Sequence, residues 1–345
     1  MRGETGRHVR TVIAGAGPIG LACAISAKRR GIDPLVVDAG AIANSIVRYP
    51  IGMTFFTTPE RLEIGDHPLA CSGTKATRDE ALAYYRGVVR AERLRVRTYT
   101  KLISAERDSG AVRCTLKTRL GDETATCERL VLATGYFDHP NPLGVPGEDL
   151  PHVSHYFDEP HLSAGLDVVV IGGKNSAVEA ALRLFRAGAR VTIVYRQAEF
   201  SGSVKYWLLP DLQNRIKFGE IAAHLGAQIV EITDRGVVVR RADGAEGRLP
   251  ADRVYALTGY HPDLSLFRSI GIEYDPVTGT PAIDRETLET NVPGVYLAGS
   301  VTAGKQISEV FIENGRFDGE RIFGGEAGRR AAEAGYAAVK RPKGE

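Results

Sequence analysis

Thr11-Val-Ile-Ala-Gly15-Ala-Gly-Pro-Ile-Gly20 is the stretch that decides the fold. Its first four residues form a short apolar run, as a buried parallel strand requires, and Gly15, Gly17 and Gly20 follow in G-x-G-x-x-G spacing around Pro18 and Ile19. The next residues, LACAISAKRRG at 21–31, have helical composition, and a second apolar run, Leu35-Val-Val, ends in Asp38, 18 residues beyond Gly20. Strand, glycine turn, helix, strand and acid together fit a dinucleotide-binding βαβ unit. In such a unit the glycines allow a tight turn, the helix N-terminus faces a pyrophosphate, and the acid accepts hydrogen bonds from a ribose diol.

The same order recurs about 157 residues later in Asp167-Val-Val-Val-Ile-Gly172-Gly173-Lys174-Asn175-Ser176-Ala177, then VEAALRLFRAGA, then Arg190-Val-Thr-Ile-Val-Tyr-Arg196. Two dinucleotides are implied. Lys174 stands at the second glycine position, where a side chain limits backbone approach; its ammonium either reaches a phosphate or points into solvent. Seven residues after Gly31 comes Asp38, whereas seven after Gly188 comes Tyr195, followed by Arg196. The second unit thus offers a guanidinium in place of the ribose-binding carboxylate, which suits a 2′-phosphate and predicts NADPH over NADH. The plainer reading of Arg196 is a solvated arginine at a strand end.

A further repeat supports both units. Leu130-Val-Leu-Ala-Thr134-Gly135-Tyr and Val254-Tyr-Ala-Leu-Thr-Gly259-Tyr each read as an apolar strand ending in Thr-Gly-Tyr, with His-Pro shortly after. Thr290-Asn-Val-Pro-Gly-Val-Tyr-Leu-Ala-Gly299-Ser300 is a turn, a buried strand and a glycine, leading into a helical stretch through residues 307–325.

The 345 residues suggest about two domains. A hydrophobic share of 43% with 25% charged residues is ordinary for a globular protein, while 39 glycines exceed the usual share of about 7% and point to turns and close backbone approaches. A net charge of +2 gives no field for a polynucleotide partner. Cys23, Cys71, Cys114 and Cys127 form no short pair, so neither a metal site nor a local dithiol is read from their spacing, and free thiols suit the cytoplasm. The charged start, residues 1–10, passes into too short an apolar run for a signal peptide, and no run nears the roughly 20 apolar residues of a membrane helix. A soluble protein is expected.

These motifs resemble the flavoprotein reductases of the thioredoxin reductase type and, within them, the bacillithiol disulfide reductase family. The matching segments are Arg48-Tyr-Pro50, Thr54-Phe-Phe56, Glu63-Ile-Gly-Asp66, ATGYFDHP at 133–140, VPGEDLPHVSHYF at 145–157, GGKNS at 172–176, TGYHP at 258–262 and FIENGRF at 311–317. The resemblance implies an α/β fold with two Rossmann-like domains, one for FAD and one for NADPH. The FAD domain would be discontinuous, at 1–156 and 263–345, with the NADPH domain inserted at 157–262 and Pro/Gly crossings suited to a hinge. It further implies a cytoplasmic homodimer or higher homo-oligomer that reduces a low-molecular-weight disulfide or a small redox protein.

On that resemblance the segment ending at Gly299 closes the flavin site, and Ser300 stands where an aspartate is usual; Asn44, Thr54 and Phe56 are expected beside the isoalloxazine ring. The family's C-x-x-C is missing, the chain reading Ser154-His-Tyr-Phe157. Ile19 stands where some members carry a reactive cysteine in the glycine loop. No catalytic residue is therefore assigned. Cys23 is a candidate because a helix N-terminus lowers a thiol pKa, set against its apolar neighbours, and His155 is a candidate proton donor or a satisfied linker residue. Cys71 reads as a loop thiol, and Cys114 and Cys127 carry no role. The residues 331–345 read as a charged, loose tail. The competing readings are a ferredoxin or flavodoxin–NADP reductase, a flavin monooxygenase, whose F-x-G-x-x-x-H motif residues 145–155 do not supply, and a redox-sensing nucleotide-binding protein.

Overall fold

A computed structural model of the chain describes residues 7–305 and 310–339. The opening residues 1–6, residues 306–309, of which 307–309 belong to the expected helical stretch, and the tail residues 340–345 lie outside the described residues. Two compact units are formed, one from Met1–Val47, Gly52–His139 and Tyr260–Glu345, the other from Arg48–Ile51 and Pro140–Gly259.

The first unit opens with β1 (Arg7–Ala14), α1 (Pro18–Lys28), β2 (Leu35–Val37) and α2 (Asn44–Val47). The apolar strands pair in parallel, Val12 with Leu35 and Ala14 with Val37. Helix α1 begins at Pro18, whose fixed φ suits the first helical position, and Gly20 through Ala27 are all buried. Its small residues permit this: a Cβ on Gly20 would lie 1.9 Å from the Gly15 carbonyl oxygen. Helix α3 (Arg78–Ala91) is started by a reciprocal capping box between Thr77 and Glu80. Strands β3 (Arg95–Arg97), β4 (Lys101–Asp108), β5 (Ala111–Thr118) and β6 (Gly121–Leu132) follow, and β4 to β6 form an antiparallel meander. The end of β6 returns parallel to β1, pairing Leu130 with Val12.

The second unit contains β7 (Val153–Ser154), β8 (Asp167–Ile171), α4 (Asn175–Arg186), β9 (Arg190–Tyr195), α5 (Leu209–Lys217) and β10 (Ala222–Leu225). A three-stranded antiparallel sheet of β11 (Gln228–Thr233), β12 (Gly236–Arg240) and β13 (Glu246–Pro250) precedes β14 (Arg253–Ala256). The parallel sheet runs in the order β10-β9-β8-β14-β7. Val168, Val170, Ile193 and Tyr255 of this sheet pack with Ala177, Ala181 and Leu184 of α4 in one core.

The chain then re-enters the first unit through α6 (Leu264–Ile270), β15 (Val295–Leu297), α7 (Ile312–Gly315), α8 (Asp318–Phe323) and α9 (Gly325–Val339). Strand β15 lies parallel to β6, with Leu297 beside Leu132. The resulting sheet runs β3-β2-β1-β6-β5-β4, with β15 also on β6.

The expectation of a loose tail is corrected over 331–339. Helix α9 carries charge on one side but packs through small residues: a Cβ on Gly328 would lie 2.5 Å from the Glu320 carbonyl oxygen, a Cβ on Gly335 would meet the Phe317 ring, and Ala332 is buried. Charge counting missed this because close helix contact here needs only the absence of side chains. No described helix is long and apolar enough to cross a membrane.

Candidate functional site

Three segments of the first unit converge on its first glycine turn. Gly15 has φ +114°, and a Cβ there would lie 2.2 Å from the Ala133 carbonyl oxygen, so the turn presses directly on the strand end at 133–135. Gly17 differs, because a Cβ there would meet nothing within 4 Å; its missing side chain opens space instead of permitting packing. That space lies at the start of α1, whose N-cap Gly17 provides no side-chain hydrogen bond and whose first turn has no acidic residue. The first-turn amides of Ile19 and Gly20 and the positive helix end make an anion cradle, to which Pro18, having no N–H, adds only its fixed φ.

Asp38 directly follows β2 beside this cradle, its carboxylate accepting hydrogen bonds from the amides of Ala16 and Gly40, each at 2.7 Å. Burial raises its pKa, opposed by those two amides. Both oxygens are thereby oriented, with lone pairs left to accept from a diol. Asn44 starts α2 close by, its Oδ1 accepting from the Ala41 amide at 3.3 Å.

On the opposite side, the Thr134 hydroxyl is buried with no hydrogen-bond partner, the kind of orphaned polar atom a bound ligand satisfies. Gly135 has φ +68°, and a Cβ there would come within 3.8 Å of Ser300 Oγ. Gly299, φ +76°, backs directly onto the Ile19 side chain. Gly15, Gly17, Ile19, Gly20, Thr134, Gly135, Gly299 and Ser300 are thus one assembly. Thr54 is instead bridged to Thr77 in an antiparallel contact, and half-buried Phe56 follows on the same segment.

The second unit repeats the device with different chemistry. Gly172, φ +143°, is closed in by the Leu257 carbonyl and Ala177, and a Cβ on Gly173 would lie 2.3 Å from the Tyr195 ring. Lys174 is the extended N-cap of α4 with no side-chain cap, and it is exposed, as are Ser176 and Arg196. Asn175 clasps the loop after β9: its Oδ1 accepts from the Lys205 amide at 2.9 Å and its Nδ2 donates to the Ser203 carbonyl at 3.1 Å. Three basic or hydroxyl side chains therefore surround an amide-lined helix start with no carboxylate at the strand end. Gly259, φ +90°, comes two residues after Leu257, its carbonyl accepting from the Asn141 amide at 2.9 Å.

The candidate catalytic groups are engaged elsewhere. Cys23 is fully buried, and burial, then the charges of Asp318 and Glu320, push its thiol well above the ordinary range. Of the two readings of Cys23, the burial favours the packed core thiol: desolvation outweighs the helix dipole in a second-turn position with no exposed surface. His155 lies within the second unit, Nδ1 at 3.1 Å from the Ala256 carbonyl and Nε2 at 3.2 Å from Glu148. Glu148 also accepts from the amides of Leu143 and Gly144, so the histidine belongs to a loop-ordering network. Cys71 is part-exposed, its thiol donating to the Gly73 carbonyl at 3.0 Å. Among the described residues no cluster of His, Cys, Asp or Glu could hold a metal ion.

Two features escape sequence reasoning. Asp318, in Phe317-Asp-Gly319, accepts a hydrogen bond from the Gly299 amide at 2.7 Å; it shares the buried side of its helix with Gly319, Ile322 and Phe323, while Glu320 two residues on masks it as an ordinary surface acid in the sequence. The Asn175 clasp carries no signal, since its partners lie 28 to 30 residues away in a loop.

Comparison with known proteins bears on this geometry. The family described as pyridine nucleotide-disulphide oxidoreductase matches residues 12–299. Bacilliredoxin reductase Bdr of Bacillus subtilis (strain 168) is 45% identical over 313 residues, covering 91% of this chain and 96% of that protein. The solved structure of bacillithiol disulfide reductase Bdr from Bacillus cereus superposes with a TM-score of 0.90 at 42% identity, covering 96% of this chain and 100% of the other. A thioredoxin reductase from T. acidophilum, at 22% identity and TM-score 0.73 over 96% and 99% of the two chains, shares the fold.

Proposed function

The chain belongs to the pyridine nucleotide-disulphide oxidoreductase family, and from that premise we propose that it transfers electrons from NADPH, through FAD, to a low-molecular-weight disulfide of the bacillithiol type. Use of a flavin and a nicotinamide nucleotide follows from membership; the particular nucleotides and the acceptor are our reading.

FAD is supported by the first assembly, above all by the pairing of an open Gly17 with an orphaned Thr134 hydroxyl. In this reading Gly15, Gly17, Pro18, Ile19 and Gly20 hold the pyrophosphate and Asp38 the ribose. Thr134, Gly135, Gly299 and Ser300 border the flavin, with Asn44, Thr54 and Phe56 as its neighbours. NADPH is supported by the second unit: Gly172, Gly173, Lys174, Asn175 and Ser176 form the phosphate cradle, Arg196 meets the 2′-phosphate, and Gly259 follows the returning strand β14. A 2′-phosphate needs the guanidinium that Arg196 offers where a carboxylate would repel it.

When bound, the flavin supplies two-electron transfer between nicotinamide and acceptor. The chain's own task is orientation. Each glycine turn would fix its own nucleotide by the phosphates. No residue is assigned as nucleophile, since Ile19 occupies the glycine-turn position and Cys23 is encased. Per turnover one NADPH and one proton are consumed and one disulfide yields two thiols. The resemblance also supports a cytoplasmic homodimer or higher homo-oligomer, which sedimentation equilibrium would measure.

The test is to mix the FAD-loaded protein with NADPH anaerobically, add bacillithiol disulfide and follow the flavin and NADPH bands. Sustained NADPH loss through many turnovers is expected. Flavin that bleaches and then stays bleached defeats the disulfide as acceptor, and ferredoxin-dependent reduction of cytochrome c would then support the electron-carrier reading.

A further inference from the structure

Asp318 is a carboxylate with 2% exposure at the start of α8. Its Oδ2 accepts the Gly299 amide at 2.7 Å, and its Oδ1 accepts a short hydrogen bond from the Tyr336 hydroxyl on α9. Among the described residues no Lys or Arg is ion-paired with it; Arg321 of its own helix acts through space, its guanidinium lying 4.4 Å over the Tyr336 ring. The Cys23 thiol of α1 also faces it, while Glu320, whose charge acts on that same thiol, is turned towards Ser26 and Arg30. A buried carboxylate without a cation carries a desolvation cost, which asks what its two hydrogen bonds secure.

They secure one turn. Ile19 is threaded between Gly299 and Gly315: a Cβ on either glycine would come within 2.7 Å of Ile19 Cδ1. That contact blocks sideways movement of the Gly299 backbone, and the Asp318 bond fixes its amide, leaving Ser300 held beside Gly135. We infer that Asp318 is a positioning residue for the flavin: through the Gly299 amide it sets the Gly299–Ser300 turn against the first glycine loop, and Tyr336 anchors that carboxylate to the C-terminal helix. The inference rests on the FAD reading and adds a part that no glycine-loop residue supplies.

The test measures the FAD dissociation constant of the full chain from pH 5 to pH 8 by flavin fluorescence, for wild type, Asp318→Asn and Tyr336→Phe, with thermal unfolding of the flavin-free forms alongside. Protonating the carboxylate weakens its hold on the amide, so wild type should lose affinity as the pH falls, whereas Asp318→Asn should bind about tenfold more weakly at pH 7, the scale of one charge-assisted hydrogen bond, with a flat profile. Tyr336→Phe should keep the Gly299 bond but move the midpoint of the wild-type profile to higher pH, because the hydroxyl favours the charged carboxylate. A merely structural role would lower unfolding temperatures without moving that midpoint. If Asp318→Asn does not fold, the Tyr336→Phe midpoint decides. Variants sharing the wild-type constant and profile overturn the positioning role while leaving the FAD reading intact; a wild type that binds no FAD overturns that reading and the inference with it.

Discussion

Ile19 and Gly299 occupy one space: a Cβ on Gly299 would lie 2.6 Å from Ile19 Cδ1 and 3.3 Å from Ile19 Cβ. The two residues come from opposite ends of the chain, and their contact closes the first glycine turn against the segment after β15. Gly299→Ala adds a methyl to a full site at φ +76°. Backbone strain and overpacking together should cost about 2–4 kcal/mol, read as a fall in unfolding temperature and in retained FAD. Adding Ile19→Ala should restore part of both, and failure of that rescue would place the strain elsewhere.

Thr134→Val separates folding from ligand binding. The orphaned hydroxyl carries an unmet desolvation cost of about 1–3 kcal/mol in the flavin-free protein, which a methyl of the same shape removes. The variant should therefore unfold at higher temperature without flavin and bind FAD more weakly. Calorimetry of the flavin-free form and a flavin titration would expose any outcome with both effects of one sign.

Arg196 is exposed at the end of β9, with no carboxylate at the preceding Tyr195. Arg196→Ala should raise the KM for NADPH about tenfold and that for NADH by less than about twofold, since one charge-assisted contact is lost only with the phosphorylated nucleotide. Equal changes for both nucleotides would defeat the 2′-phosphate assignment.

Asp318 makes stability depend on pH with a defined sign. Burial raises its pKa to about 6, over the pull of the Tyr336 hydroxyl and the Gly299 amide in the other direction. The folded state therefore holds the proton more tightly than the unfolded chain, whose aspartates titrate near 3.9. This contribution is fully present below about pH 4 and is lost as the pH rises through 6, an effect of about 3 kcal/mol at most. In flavin-free Asp318→Asn that decline should be missing from urea unfolding between pH 4 and pH 7. A decline of equal size in the variant would assign it to other groups.

Thiol accessibility follows burial. Brief iodoacetamide treatment of the native protein should label Cys71 and spare Cys23, Cys114 and Cys127, which are fully buried, and acceptor reduction should survive. Peptide mapping by mass spectrometry reads the labels; loss of turnover in step with Cys71 labelling would restore a thiol to the mechanism.

The sequence by itself determined what is local. A glycine that needs φ above zero, a helix start that exposes amides, and an acid or arginine at the next strand end all fall within one βαβ unit, so the two nucleotide turns, the contrast of Asp38 with Arg196, and the thioredoxin reductase-type fold were legible from residue order. Tertiary structure alone decided what depends on register and docking. The antiparallel pairing of Cys114 with Ala125 and of Val112 with Cys127 brings two sulfurs to 4.0 Å that no motif joins. Asn175 meets the loop at 203–205, and Asp318 meets Gly299 and Tyr336, only after strands and helices have packed. Even helix α9 is of this kind, because Gly328 and Gly335 stabilise it by allowing close packing, and an absent side chain has no meaning until its neighbour is in place.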